Sequence, residues 1–582
     1  MIDLKFSEII KKNNDLADSL KNSAIIDIKI LSNISVHQLK PVFEYALRTK
    51  SLNANVKIGE YDNIIQESLK SNEKEIVIIF WELCNIKESF VYEIETFSSE
   101  QYSFYLNKIQ SELLLLFENL KNVKLVIFNN FSHIIFTSNN IKSNNYENLT
   151  TTLNTFIAQY IPANFIQINL DKILAKVSID KSVEFRNFYL SKTLYTIDFF
   201  KVYTSFTIPV ILSAYAKNKK AVILDCDNTL WYGIVGEDGI ENIALSEKHK
   251  NGIYFKEVQL LIKQLAKNGI IIGLCSKNNH SDVSEVFRLR NDLILSSNDI
   301  VIEKINWNSK VQNLIEIANE LNIGIESFVF IDDSNFEINH VNEKLPAIKT
   351  LQVPKNLYEY PKLIQENFPL FFSNVTTNED VQRIKMYKDE IIRKNIKNQF
   401  QNIDDYLESL QLEIVIENKT IDAIERVAQL TQKTNQFNLT TKRYLISDIQ
   451  LMYNREDYDV LNISVNDKFG SYGLTGICII KYKEDISAEI ESLLLSCRIL
   501  GRNIEKVFLN EIVKRIKEKG SQNIFASYLP TAKNQQVENF YSDAGFLVEN
   551  KTISETKYEV NCKEFLSLSE PINYIKVIWK KS

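Results

Sequence analysis

Glycine, proline and histidine are scarce in this chain, and its cysteines do not cluster. Its 582 residues include 14 glycines, 9 prolines and 5 histidines, where ordinary usage is ~7% glycine and ~5% proline. Collagen-like, proline-rich and glycine-rich linker classes are thereby excluded. The six cysteines, at 84, 226, 275, 478, 497 and 562, form no CxxC pair. Neither a disulfide scaffold nor a structural zinc site is expected, and a reducing, cytoplasmic setting is the default. The opening MIDLKFSEIIKKNNDLADSL has neither the basic nor the apolar region of a signal peptide. No stretch reaches ~18 uninterrupted apolar residues, and the nearest, Phe199–Ala216, is broken by Lys201. No membrane association is expected. A net charge of -6 with pI ≈ 5.7 offers no basic surface, so no nucleic-acid partner is expected.

What is present is the balance of a folded protein, 45% hydrophobic and 24% charged, in a length that holds about three or four domains of ~100–200 residues. Residues 1–215 alternate apolar runs (24–31, 54–59, 75–83, 123–131, 164–170) with helical patterns, the rhythm of a parallel sheet covered on both faces. Residues 216–355 repeat it, with AVILD, GIIIGLCS and SFVFIDD as strands. Residues 356–400 form a linker that includes a charged helical stretch, 377–400, and residues 401–582 shift to an α+β pattern. The fold class is α/β. Six of the 14 glycines fall in two short windows, Gly233/Gly236/Gly239 and Gly470/Gly473/Gly476. In so glycine-poor a chain these mark turns that need φ > 0.

The most specific signal is AVILDCDNTLWYGIVGEDG. A buried strand ends in Asp225-Cys226-Asp227-Asn228-Thr229. Alternation along the strand brings positions 225 and 227 to one side at its carboxyl end, the edge where open α/β sheets bind ligands. Two carboxylates this close repel, and a divalent cation relieves them. One can then act as nucleophile and the other as general acid/base. Cys226, between them, is expected to face the core. Downstream stand Ser276 in GLCSKNN, Lys310 in NWNSK and Asp332-Asp333 in FVFIDDSNFE.

Asp225-x-Asp227-Asn228-Thr229 resembles motif I of the haloacid dehalogenase (HAD) phosphotransferases, and Ser276, Lys310 and Asp332-Asp333 resemble motifs II, III and IV in order. The resemblance implies Asp225 as nucleophile and Asp227 as acid/base. It implies Mg2+ on Asp225, the Asp227 carbonyl and the Asp332/Asp333 pair, with phosphate contacts from Thr229, Ser276, Asn278 and Lys310. The gaps of 51 residues (276 − 225) and 34 residues (310 − 276) hold no cap domain, so the site is open, with only 231–239 able to form a small flap.

TrpTyrGlyIleValGlyGluAspGly after motif I is similar to the FkbH-like proteins of the capless subfamily IIIC, as are NQFNLTTKRY, DKFGSYGLTGI and SCRILGRNIE. That likeness implies a small phosphorylated substrate, a glyceryl-type acyl phosphate such as 1,3-bisphosphoglycerate, and loading of its acyl group onto the phosphopantetheine arm of an acyl carrier protein. It also implies an SGNH-like first domain of three layers, a capless Rossmann-like HAD domain and a GNAT-like acyltransferase domain. In the first, ILSNIS stands in place of the nucleophile turn and no histidine occurs from 134 to 248, so hydrolysis there is not expected. In the last, Arg498, Gly501, Arg502, Asn534 and Tyr541 match positions that hold a pantetheine arm. Cys275 and Cys497 are the candidates for an acyl-holding thiol. Two alternatives remain open: a phosphatase of a small molecule or glycan precursor without acyl transfer, and a scaffold that binds a carrier protein.

Overall fold

The computed structural model describes residues 3–373, 402–531, 533–565 and 572–580, with Asp389, Arg393, Ile396 and Phe400. The helix expected at 377–400 otherwise lies outside the described residues. The chain divides into two compact units, one running to Ala214 with Leu445–Asp448, the other holding the rest.

The first unit is built on five parallel strands, β1 (Ile25–Ser32), β2 (Asn53–Ile58), β3 (Ile76–Phe80), β4 (Leu125–Asn129) and β5 (Phe165–Ile168), in the order β2-β1-β3-β4-β5. Each matches an expected apolar run. The central sequences IVIIF and LVIFN are buried at every position, as strands covered on both faces must be. The helix Ile197–Ala214 is long and apolar enough to cross a membrane by length and composition, but 67% of it is buried inside the protein. It is a core helix here. At the carboxyl end of the sheet, Ser32 Oγ donates to Ile34 O (2.7 Å) and accepts from Ile34 N. The serine of ILSNIS is thus engaged in its own turn. Next to it, Asn33 and Glu82 exchange two hydrogen bonds: Asn33 Nδ2 donates to Glu82 O (2.9 Å) and Glu82 N donates to Asn33 Oδ1 (2.8 Å).

The second unit opens with another parallel sheet: β6 (Ala221–Leu224), β7 (Ile271–Ser276), β8 (Ile300–Ile305), β9 (Phe328–Asp332) and β10 (Lys349–Gln352), in the order β10-β9-β6-β7-β8. The strand carrying the first aspartates is central, flanked by the strands that end in Ser276 and Asp332. All these ends face one edge because every strand runs the same way.

The remainder is a nine-stranded mixed sheet made of β11 (Leu412–Asn418), β12 (Phe437–Asn438), β13 (Tyr458–Asp467), β14 (Gly470–Tyr482), β15 (Ser487–Leu495), β16 (Asn523–Tyr528), β17 (Leu547–Lys551), β18 (Thr556–Asn561) and β19 (Ile575–Trp579). Its most unusual joint is between β15 and β16. They pair in parallel only from Ser487↔Asn523 to Ile490↔Ala526 and then separate. Between the parted ends runs β12, antiparallel to β15 at Leu494 and Leu495. Leu439 N donates to Leu493 O (3.2 Å), and Leu439 O accepts from Leu529 N (2.8 Å). The backbone groups freed where two strands part must find partners, and here the chain supplies them itself. Phe437 and Leu439 are buried.

Candidate active site

The site is assembled at the carboxyl edge of β6, β7 and β9. Asp225 directly follows β6 and is fixed there by its N–H, which donates to Ile331 O (3.0 Å). Asn228 takes φ 51°, a conformation asparagine tolerates better than most residues, and turns the chain back. Gly233 closes that turn at φ 108°, where a Cβ would lie 2.8 Å from Asp238 Oδ2, so a side chain is excluded on both counts. Lys310 is the first residue of the helix Lys310–Leu321 and is almost wholly buried.

The expected carboxylates converge. Lys310 Nζ donates to Asp332 Oδ2 (2.6 Å) and lies 3.1 Å from Asp225 Oδ2. Single carboxylate oxygens of Asp225, Asp332 and Asp333 lie within 4.8 Å of one another. One ammonium therefore faces three carboxylates, leaving two negative charges when all are ionised. Burial, then the Asp225 charge, pushes the Asp332 carboxyl up, and the same causes raise Asp333. Burial opposes the charge of Lys310, but Asp225 and Asp332 outweigh it and hold the ammonium well above its usual range. A cluster of hard oxygen donors with a residual charge of two fits a divalent cation. Both Asp332 oxygens already accept hydrogen bonds, from Lys310 and from Ser334 N (2.8 Å), so Asp225 and Asp333 are the better-placed ligands.

Asp227, expected to meet the ion through its carbonyl alone, has its side chain placed for another role. Its carboxylate is outside the cluster and is held by three donors: Trp231 Nε1 (2.8 Å) and Val235 N (3.0 Å) on Oδ1, and Asn278 Nδ2 (2.8 Å) on Oδ2. Burial raises its pKa nonetheless. A carboxyl aimed in this way, with its pKa shifted upward, suits a general acid. The segment 231–239 is thus the clamp on Asp227 rather than only a flap, and Trp231 and Val235 are site residues that the sequence did not reveal. Asn278 belongs to this clamp. Ser276 ends β7 and is buried beside the carboxylates. Thr229 is completely buried, its Oγ1 without a partner, so it offers no exposed surface to a phosphate.

The candidate thiols lie elsewhere. Cys275 is buried, its Sγ 3.9 Å from Lys310 O, and burial pushes the thiol well up, the opposite of what a nucleophile needs. Cys226 packs in the core. Cys497 Sγ donates to Asn322 O, at the far end of the helix that starts at Lys310, about 18 Å away at 1.5 Å per residue. The arm-binding candidates also turn inward. Asn534 is fully buried, accepting from Thr531 N and donating to Asn438 O and Leu529 O. Tyr541 lies in the aromatic core with Phe546 and Tyr558. Arg502 is buried over the Tyr472 ring and donates to Arg498 O. Arg498 Nε donates to Ser496 Oγ, and Gly501 sits at φ 72° before the helix Ile504–Glu518, with open space around it.

Fold and site together define an α/β protein with an aspartate–lysine centre of the phosphoryl-transfer kind on its second parallel sheet. The chain is similar to the N-terminal part of the protein BF1531 from Bacteroides fragilis, a structure containing a phosphatase domain complexed with Mg, at 26% identity and a TM-score of 0.55. That likeness covers 64% of this chain and 100% of the other, well beyond residues 216–355 alone. Over about a quarter of its length the chain also matches the spermidine/spermine N-acetyltransferase SpeG from Vibrio cholerae (13% identity, 27% of this chain and 98% of that one, TM-score 0.22). A similar match is the ribosomal-protein-S18-alanine N-acetyltransferase from Escherichia coli (11%, 27% and 97%, TM-score 0.21). No protein-family model and no curated protein matches it.

Proposed function

We propose that this chain is a Mg2+-dependent phosphoryl hydrolase/transferase of the HAD type, working through an aspartyl-phosphate on Asp225. The observation that carries the reading is the buried group of three carboxylates around one lysine, with a separately clamped fourth carboxyl beside it. Asp225, Asp333 and Asp332 would hold the ion, which supplies charge neutralisation for an incoming phosphate. Asp225 Oδ forms the bond to phosphorus as the bond to the leaving oxygen breaks. Asp227 gives its proton to that oxygen and, once deprotonated, takes one from the water that releases phosphate. Lys310, 3.1 Å from Asp225 Oδ2, would meet the phosphate charge. The Mg-bound phosphatase domain of the Bacteroides relative supports this chemistry.

The finer reading follows from the FkbH-like resemblance. The phosphate is that of a glyceryl-type acyl phosphate, and the acyl unit passes to an acyl carrier protein in the cytoplasm, with an SGNH-like first domain and a GNAT-like last domain flanking the centre. A second reading, hydrolysis without acyl transfer, is favoured by the burial of Cys275, Arg502, Asn534 and Tyr541. The test is intact-mass spectrometry of a phosphopantetheinylated carrier incubated with enzyme, Mg2+ and 1,3-bisphosphoglycerate. A glyceryl increment on the carrier supports transfer, and free phosphate without it supports the second reading. Asp225→Asn keeps the shape and loses phosphate release in either case. Near-wild-type release by that variant would remove the nucleophile assignment.

A further inference from the structure

Two large exposed rings stand near the carboxyl edge that holds the site, one on a loop and one in the first turn of a helix. Trp307, between β8 and Lys310, is 70% exposed, and Phe336, at the start of the helix Asn335–Lys344, is 69% exposed. Isolated exposed rings are ordinary, but Trp307 is tethered. Its Nε1 donates to Asn279 Oδ1 (3.1 Å), Asn279 N donates to Asn278 Oδ1 (3.1 Å), and Asn278 Nδ2 donates to Asp227 Oδ2 (2.8 Å). The preceding residue is fixed as well, since Asn306 N donates to Ser276 O (3.1 Å). An unbroken hydrogen-bond chain thus runs from the indole to the carboxyl that serves the leaving oxygen. Two basic side chains nearby are paired with acids: Lys277 with Glu337 (2.7 Å), one residue from Phe336, and His280 with Glu303 (2.8 Å).

From this we infer that Trp307, with Phe336 as a second ring, is the platform on which the leaving group of the phosphorylated substrate rests, and that the preferred leaving group presents an uncharged flat or carbon-rich face next to its phosphate. This rests on the phosphoryl-transfer reading above and names a substrate class for its second form, hydrolysis without acyl transfer, since the leaving group of 1,3-bisphosphoglycerate carries a second phosphate and no flat or carbon-rich face. Three features support it. The tether leads to Asp227, the leaving-group side of the centre. The two basic side chains named here, Lys277 and His280, each already face an acid, which weakens their pull on a second anionic group near the phosphate. An uncapped site leaves organic substrate surface exposed unless the rim covers it, and a held indole does so at little entropic cost because its few rotamers are already fixed.

The experiment compares phosphate release with Mg2+ from phenyl phosphate and from acetyl phosphate, whose small leaving group covers little of the platform. Trp307→Ala is expected to raise KM for phenyl phosphate about tenfold with kcat nearly unchanged, a loss of uniform binding, and to change acetyl phosphate less than twofold. Trp307→Phe, which keeps a flat ring and loses the tether, should restore most of the phenyl phosphate KM. Phe336→Ala should act in the same direction and more weakly. Equal effects of Trp307→Ala on both substrates, no effect on either, or no rescue by Trp307→Phe would each overturn the platform while leaving the phosphatase intact. Release from neither substrate by the wild type would instead remove the phosphatase reading and the platform with it.

Discussion

Glu82 allows the packing of the first unit to be tested by pH alone. It follows β3 at the carboxyl edge of the sheet, is 4% exposed, and accepts a hydrogen bond from Tyr195 Oη (2.8 Å). Burial is the main cause that lifts its pKa from 4.5 to about 7, against the Tyr195 bond, with the Asp171 charge adding to it. Between those values the native state holds a proton that the unfolded chain releases, so the unfolded state binds fewer protons and stability falls as pH rises. The contribution is fully present below pH 4.5 and is lost as pH climbs through 7. At 1.36 kcal/mol per pKa unit the loss is about 3 kcal/mol, or roughly two to three decades in an opening constant. Glu82→Gln keeps the shape and cannot ionise. The assay is hydrogen exchange of a peptide covering Ile76–Phe80, compared between wild type and Glu82→Gln at each pH, so that intrinsic exchange rates cancel. The wild type should fall behind the variant by about two decades between pH 5 and 8. A pH-independent difference would refute the buried, neutral carboxyl, and with it the view that this edge is a structural joint.

Three further outcomes follow from buried charge and aimed hydrogen bonds. Lys310→Met leaves Asp225 and Asp332 without their shared cation, so phosphate release should vanish and stability fall by about 3–5 kcal/mol; melting curves with and without Mg2+ should show part of the loss restored by the ion. Trp231→Phe removes one of the donors that aim Asp227, and kcat for phosphate release should drop about tenfold with KM unchanged. Arg393 forms a paired contact with Asp467 (2.7 and 2.8 Å) and stacks on Tyr472 at 3.9 Å. Arg393→Ala should therefore destabilise the mixed sheet by about 3 kcal/mol in urea titration, and an unchanged midpoint would show that the ion pair adds no net stability.

The strands of the two parallel sheets were legible where burial on both faces leaves a continuous apolar run, as in IVIIF and LVIFN. Outside the expected strands stand β8, β10, β12 and β16 to β19; two of them, β10 and β12, are strands whose partners define them. β10 is four residues with only Leu351 buried, and β12 is two residues that carry no periodicity at all. Its pairing exists because β15 and β16 part, a tertiary event that no local pattern announces. The same division runs through the site. Asp225, Lys310, Asp332 and Asp333 are visible because carboxylates at strand ends and a lysine at a helix start stand out against their surroundings. Trp231 and Val235 act through an indole N–H and a backbone N–H, groups present in any core or turn, so nothing in the sequence separates their role from packing.

Arg498-x-x-Gly501-Arg502 shows the converse error, in which a motif is present and its side chains point elsewhere. The spacing places Arg502 just before a helix, where a guanidinium facing solvent could meet a phosphate. Which way it faces depends on what lies beneath. Here that is Tyr472, whose hydroxyl donates to Asp467 Oδ2 (2.7 Å) and whose ring also receives Arg393. A tyrosine whose oxygen is bound to a buried carboxylate presents an electron-rich face in a site of low polarity. A planar cation gains more there than in water, because it is less strongly hydrated than an ammonium and stacks well. The arginine is therefore drawn inward by a residue thirty positions earlier in the chain, on β14, and its role is fixed by the sheet, not by the motif that carries it.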